Sequence, residues 1–276
     1  MIAHRDTNGD NTTGEAGGLL LVNIGNSRIS VARFLDGQRS AAEHLDCSTL
    51  DATLQRIAAL WRELPTDRQR AMVVCSVNPP VLEQLKRFCQ ETNIAPVLVV
   101  GENIDLPIGA DLPEPNKVGA DRMCSAAAAY AKLEKACVVA DFGTALTVDL
   151  VSDNNVFLGG TILPGMKLSA RALHEHTALL PLVEVGPVTE TLGKNTASAI
   201  RNGIFAMMVG ALREITERYA TEIGKWPPLI VTGGDATVIS SACDFVDHNI
   251  PDLCLDGLVI AYQRSVADTH QDHEAD

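Results

Sequence analysis

The feature that most constrains this chain is a repeat at half-molecule scale. The stretches Leu19-Leu20-Leu21-Val22-Asn23-Ile24-Gly25-Asn26-Ser27-Arg28-Ile29-Ser30 and Cys137-Val138-Val139-Ala140-Asp141-Phe142-Gly143-Thr144-Ala145-Leu146-Thr147 share one design. In each, an apolar run ends on Asn or Asp, turns through glycine and leaves as a second β-rich run, which is the pattern of a hairpin. Asn23 falls on Asp141, Gly25 on Gly143 and Asn26 on Thr144, each pair 118 positions apart (141 less 23). Such a turn offers a phosphate outward backbone N–H groups, a hydroxyl and no bulky Cβ at the glycine. An acid at the strand end, as at Asp141, suits a cation beside those phosphates. Either stretch alone has a plain hairpin turn as its competing reading. Two equivalent turns, each opening half of the chain, imply two similar halves rather than a solenoid of short repeats.

The pattern between the turns is that of an α/β protein. Helical spacing is expected over 50–64, 81–92, 123–132, 165–179, 197–222 and 256–266. Strands are expected over 71–77, 95–100 and 229–232, with a second pair of short strands around 157–163. The boundaries follow: a disordered polar lead at 1–17, domains at 18–134 and 135–267, and a disordered tail at 268–276. The long helix over 197–222 carries Gly203, Ala206 and Gly210 at close spacing. That stripe suits either a dimer surface or helix packing within the chain.

Charge and cysteine usage narrow the partners. A net charge of −13 argues against nucleic acid or an anionic membrane as the main partner, since both require a basic face. It leaves room for a small anionic substrate, because a few N–H groups and cations can dominate one pocket. Seven cysteines, an odd number with no C-x-x-C pair, point to free thiols in a reducing cytoplasm rather than a disulfide framework or zinc site. No apolar run approaches membrane-spanning length.

Several tempting spellings fail on spacing. Gly193-Lys194-Asn195-Thr196 is no P-loop, because Asn195 stands where Ser or Thr is needed and Val188 where glycine is needed. Thr196, at a helix start, keeps a hydroxyl suited to an anion. His4-Arg5-Asp6 and Asp141-Phe142-Gly143 spell protein-kinase fragments, but they lie too far apart and lack the parts upstream. Asp6-x-Asn8-x-Asp10 starts like a calcium loop yet has Asn11 and Gly17 at the wrong places. His174 and His176 fall on different helix faces, which does not suit a zinc pair.

Two other stretches suit the glycine turns. Thr232-Gly233-Gly234 after an apolar strand resembles an adenosine-side turn, with an ordinary strand-to-helix turn as the alternative. Asp121-Arg122, at a loop-to-helix junction, can activate a hydroxyl and bind an anion. A helix-start acid beside an arginine is the simpler reading of that pair. Together these features fit ATP-dependent phosphoryl transfer to a hydroxyl.

From Leu19 to about Arg264 the chain resembles the type III pantothenate kinases of the acetate kinase/sugar kinase/Hsp70/actin superfamily. The resemblance rests on Asn23-x-Gly25-Asn26-Ser27, Val118-Gly119-Ala120-Asp121-Arg122 and Asp141-Phe142-Gly143-Thr144-Ala145. Leu158-Gly159-Gly160-x-Ile162-x-Pro164-Gly165, Gly193-Lys194-Asn195-Thr196, Thr232-Gly233-Gly234 and Leu255-Asp256-Gly257-Leu258 extend it. It implies two ribonuclease-H-like (actin-like ATPase) domains, each a mixed sheet flanked by helices, in a cytoplasmic homodimer with nucleotide held between the domains.

By the same resemblance, Asp121 is the general base toward the primary hydroxyl of pantothenate. Gly119, Ala120, Asp121, Arg122 and Thr196, the last from across the dimer interface, hold that substrate. Asn23, Ile24, Gly25, Asn26, Ser27, Arg28, Ile29, Ser30 and Thr144 hold ATP, with Gly233 and Gly234 on the adenosine side. Asp141 is the site of a monovalent cation, K+ or NH4+, and Mg2+ accompanies ATP. The product is 4′-phosphopantothenate, the first intermediate toward coenzyme A.

The chain also departs from the family pattern. Asn23 replaces an acid and Ser27 a threonine, and the loop Leu106-Pro107-Ile108-Gly109-Ala110-Asp111 lacks the family's tyrosine. Losing the first carboxylate bears on Mg–ATP, because magnesium uses only one or two protein carboxylates. An active kinase with altered nucleotide or metal handling is one outcome. A non-catalytic relative serving as a regulatory or accessory binding protein is the other, and a sugar or acetate kinase is a third.

Overall fold

The structure is a computed structural model that describes residues 17–274, with side chains through Asp268. All but the last residue of the expected lead, including both false motifs built on Asp6, lies outside the described residues.

The first sheet is centred on β1 (Gly18–Ile24). On one side β1 pairs antiparallel with β2 (Arg28–Leu35), which carries the short β3 (Gln38–Arg39) and β4 (Glu43–Asp46). On its other side come the parallel strands β5 (Arg70–Ser76) and β6 (Val97–Val99). Alternation along β1 sorts its residues. Leu20, Val22 and Ile24 join the outer core under α1 (Leu50–Arg62) and α2 (Pro79–Glu91), while Leu19 and Leu21 face inward. Asn23, in phase with them, faces inward too. Asn78-Pro79-Pro80 starts α2: the Asn78 side chain accepts the Val81 amide, and proline fits the first helical turn.

The second sheet repeats the plan in the order β12-β11-β8-β9-β10-β7. Its strands are β7 (Gly109–Ala110), β8 (Cys137–Phe142), β9 (Ala145–Val151), β10 (Val156–Pro164), β11 (Leu229–Thr232) and β12 (His248–Asn249). β8 stands where β1 does, with an antiparallel hairpin partner on one side and a parallel strand on the other. Val138, Ala140 and Phe142 point to the outer helices α4 (Met166–Glu175), α5 (Thr196–Ile223) and α6 (Ala236–Ser240). Asp141, like Asn23, points the other way.

Between the sheets run α3 (Ala120–Leu133) and α7 (Leu253–Glu274). α7 lays Leu255 and Leu258 on Leu19, Leu21 and Val73 of the first sheet, and α3 lays Met123 and Ala127 on Val139 and Ile230 of the second. They cross at Gly257, where a Cβ would overlap the carbonyl of Cys124. The sheets therefore do not divide at Glu134. β7, from before it, extends the second sheet, and α7, from the chain's end, covers the first.

Three expectations change. The stretch around 157–163 is one long strand, β10, with a bulge at Gly159 where φ is +118°. α4 stops at Glu175, and residues 176–195 have neither helix nor strand. The closing helix occupies Leu253–Glu274, taking up most of the expected tail. Among the described residues no helix is long and apolar enough to cross a membrane.

Candidate active site

The two glycine turns meet. Ser27 Oγ lies 3.0 Å from Thr144 Oγ1, across a cleft of about 520 Å³ between the sheets. Each turn spends its glycine amide on itself: Gly25 N–H donates to Arg28 O (3.0 Å) and Gly143 N–H to Ala145 O (3.1 Å). The amides of Asn26, Ser27 and Thr144 make no hydrogen bond among the described residues and are the ones available to an anion. Gly25, Asn26, Ser27, Arg28 and Ser30 line the cleft. Ile24 and Ile29 do not, because alternation turns their side chains into the outer core.

Asn23 also lines the cleft, and its Oδ1 is shielded from solvent with no hydrogen-bond partner. A buried amide oxygen without a protein donor is costly, and at this place it suits a cation or a hydrogen-bond donor. Asp141, its counterpart, borders the same space. Burial pushes the Asp141 carboxyl up to about 7; the negative charge of Asp121 adds to this, Arg28 opposes it, and Asp149 and Asp252 add more. Near neutrality Asp141 therefore holds a proton part of the time, and a bound cation would take its place. Gly233 follows from the same geometry: its φ is +93°, and a Cβ there would strike Asp141 Oδ1. A Cβ on Gly234 would sit 3.0 Å from Arg28 Nη1, so Arg28 spans from the first turn to the Gly233-Gly234 turn.

Asp121 occupies the first turn of α3. Its Oδ1 accepts the Arg122 amide at 2.8 Å, and a Cβ on Gly119 would stand only 2.6 Å from that oxygen. Glycine at 119 is what lets the carboxylate fold back over the helix start. Burial raises the Asp121 carboxyl above its ordinary range, against the pull of Arg122. Ala120 packs at the inner core, and its side chain does not line the cleft.

Arg122 is held by a partner the sequence did not reveal. Its Nε donates to Asp149 Oδ1 (3.1 Å) and Oδ2 (3.2 Å), Nη2 makes a closer contact with Oδ1, and the guanidinium stacks 5.4 Å from the Phe157 ring centre. Asp149 is only 2% exposed, and burial raises its carboxyl despite Arg122. The available signal was a charge inside an apolar strand, Val148-Asp149-Leu150, which demands a partner when buried. Gly160 provides clearance: a Cβ there would overlap Asp149 Oδ1 and approach Arg122 Nη2 to 2.9 Å.

Lys167, on the first turn of α4, was also missed and lines the cleft. A Cβ on Gly165 would overlap the Gly143 carbonyl, so the start of α4 is pressed onto the second turn. Thr196 is exposed at the start of α5, behind an Asn195–Ser198 capping box, and is not among the cleft-lining residues of its own chain. His174 Nδ1 lies 2.8 Å from the Leu180 carbonyl oxygen.

The chain as a whole is similar to known proteins. The family model for type III pantothenate kinases matches residues 19–218. The chain is 34% identical to the type III pantothenate kinase of Dehalococcoides mccartyi over 260 residues, covering 90% of this chain and 98% of that one. It is 34% identical to that of Rhodospirillum rubrum, covering 91% and 100%. Against that of Akkermansia muciniphila it is 37% identical, covering 70% and 78%.

Among solved structures, a Baf family protein of Campylobacter jejuni superimposes with a TM-score of 0.59 at 21% identity, covering 90% of this chain and 99% of that one. MreB5 of Spiroplasma citri, solved with ADP, does so with a TM-score of 0.50 at 10% identity, covering 94% and 99%. At such identities the likeness is one of fold, and it is the actin-like ATPase fold.

Proposed function

Because the chain belongs to the type III pantothenate kinase family, we infer that it transfers phosphate from ATP to pantothenate, the first step of coenzyme A synthesis, and we propose Asp121 as the base. The relatives favour this activity over the accessory binding protein that Asn23 alone suggested. One observation carries the site assignment: the two matched turns touch at Ser27 and Thr144, and Asp121 lines the same cleft.

In this reading Asp121 takes the proton from the pantothenate hydroxyl. Its carboxyl is oriented by the Arg122 amide, and burial makes it a stronger base than an exposed aspartate. Arg122, fixed by Asp149, presents its remaining N–H donors toward the substrate without a search for geometry. The free amides of Asn26, Ser27 and Thr144, with Arg28 and Lys167, hold the ATP phosphates. Gly233 and Gly234 pass close to the adenosine. The oxygen-only pair of Asn23 Oδ1 and Asp141 fits hard cations. We assign K+ or NH4+ to Asp141 and Mg2+ to the ATP phosphates. These cations would offset phosphate charge as transfer proceeds.

We also propose a homodimer. Leu168 borders the cleft and is exposed, as are Leu173, Leu179, Leu182, Leu192 and Met207 further along the chain. A Cβ on Gly203 or Gly210 of α5 would meet no atom within 4 Å, so the small-residue stripe faces out rather than packing within the chain. Pairing over this face would let Thr196 of the partner subunit approach the pantothenate side of the cleft.

The direct test is ADP release with pantothenate, Mg–ATP and K+. Asp121→Asn is expected to lower kcat by about 100-fold or more without lowering the melting temperature. Undiminished turnover in that variant would remove Asp121 from the role of base.

A further inference from the structure

Three thiols below the cleft floor take no part in this reaction. Cys75 of β5, Cys124 of α3 and Cys254 of α7 come from three separate elements and are 0%, 0% and 4% exposed. Their sulfurs lie within 4.8 Å of one another. Cys75 is the register partner of Asn23, and Cys124 precedes Ser125, which lines the cleft. The group therefore lies one residue layer below the cleft floor, beside the crossing of α3 and α7 at Gly257. Among the described residues no histidine or carboxylate joins it. The neighbouring thiols act on one another in opposed directions, and burial leaves all three well above the ordinary thiol range, so they rest as neutral S–H groups.

We propose that these three cysteines form a binding site for a trivalent thiophilic metalloid, with arsenous acid as the chemical type. Charge balance selects it. Zinc favours four ligands and would leave three thiolates with a net negative charge. Copper(I), otherwise suited to thiolates, would leave more. Either charge would be buried near the negative Asp121, where uncompensated charge is expensive. Arsenous acid avoids this. Each of its three As–O bonds breaks as an As–S bond forms, and each thiol proton leaves with a hydroxide as water. Arsenic stays trivalent, no electron moves, and the product is neutral. Sulfurs around one pyramidal centre at bond lengths of about 2.3 Å stand about 3.5 Å apart, so side-chain rotation must close the widest pair by up to about 1.3 Å.

Binding would tie β5, α3 and α7 together directly under the catalytic base, since Cys124 lies one helical turn beyond Asp121. Displacement of a catalytic group by about 1 Å costs on the order of 100-fold in rate. Arsenite should therefore inhibit turnover, and a small dithiol should restore it.

The test is native mass spectrometry of the reduced full chain incubated with sodium arsenite. The expected product carries one arsenic with the loss of three hydrogens. That product should be absent from Cys75→Ala, Cys124→Ala and Cys254→Ala and retained in Cys89→Ala, whose thiol lies elsewhere. Should one variant fail to fold, the other two and the sulfur-only, three-coordinate arsenic signature in X-ray absorption of the wild type decide the matter. No adduct, an adduct that survives these substitutions, or stronger retention of zinc than of arsenite would each overturn the proposal. The mass readout does not depend on the kinase assignment, so the two can fail separately.

Discussion

Asp141 carries a larger share of the charge here than a matched pair of acids would give it, because its counterpart is the neutral Asn23. The sign of its pH effect follows from its raised pKa of about 7. Between about pH 4 and 7 the unfolded chain loses this proton while the cation-free fold keeps it, so stability falls across that window, and the loss is complete above it. Asp141→Asn should stabilise the cation-free protein at about pH 8 by on the order of 2 kcal/mol, the linkage value reduced for its opening to water, and by little near pH 4. Melts at the two pH values check this. The same change should abolish kinase activity and the stabilisation by K+ expected of the wild type above pH 7; retained activity would refute it. At this scale the sequence was partly legible. Asp141 and Asp121 show themselves as acids at strand and helix ends. Asp149 and Lys167 do not, because what makes them part of the site is a neighbour across the fold: Arg122 for one, the second glycine turn for the other.

The elements were legible where periodicity is strong and illegible where contact decides. β1 and β8 followed from apolar runs ending at glycine turns, and α1, α2, α4 and α5 from helical spacing. Gly257 did not: in the sequence it is only part of a familiar run, Leu255-Asp256-Gly257-Leu258, with no stated role. The fold shows that α3 and α7 cross there with no space for a methyl group. Gly257→Ala should force the helices apart and cost at least about 2 kcal/mol, since overpacking a rigid backbone contact is destabilising even though alanine favours the helix. Urea unfolding monitored by circular dichroism measures it, with a lowered midpoint and an unchanged slope expected. An unchanged midpoint would mean that the crossing relaxes freely.

For the whole molecule, the half-length repeat conveyed two similar sheets and the cleft between them, but not how the chain interleaves them. Strand β7 and helix α7 each cross to the other half, and such pairings depend on contacts too distant in sequence for local pattern to encode. The exposed apolar face beside α4 and α5 belongs to this scale as well. Leu192, 74% exposed, and Met207, 41% exposed, lie on it. Leu192→Arg with Met207→Glu should convert a dimer to a monomer in sedimentation velocity and reduce turnover at low pantothenate, if Thr196 of the partner subunit completes the site. A dimer unaffected by both changes would place the interface elsewhere. The interleaving has a practical side. Cut beside Glu134, the chain would yield one fragment whose sheet has lost its α7 cover and another whose sheet has lost both β7 and the packing of α3. Neither piece could bury its own apolar face, yet together they hold everything needed. The molecule is in that respect a ready-made pair for fragment complementation, in which recovered kinase activity reports that two separately expressed chains have met.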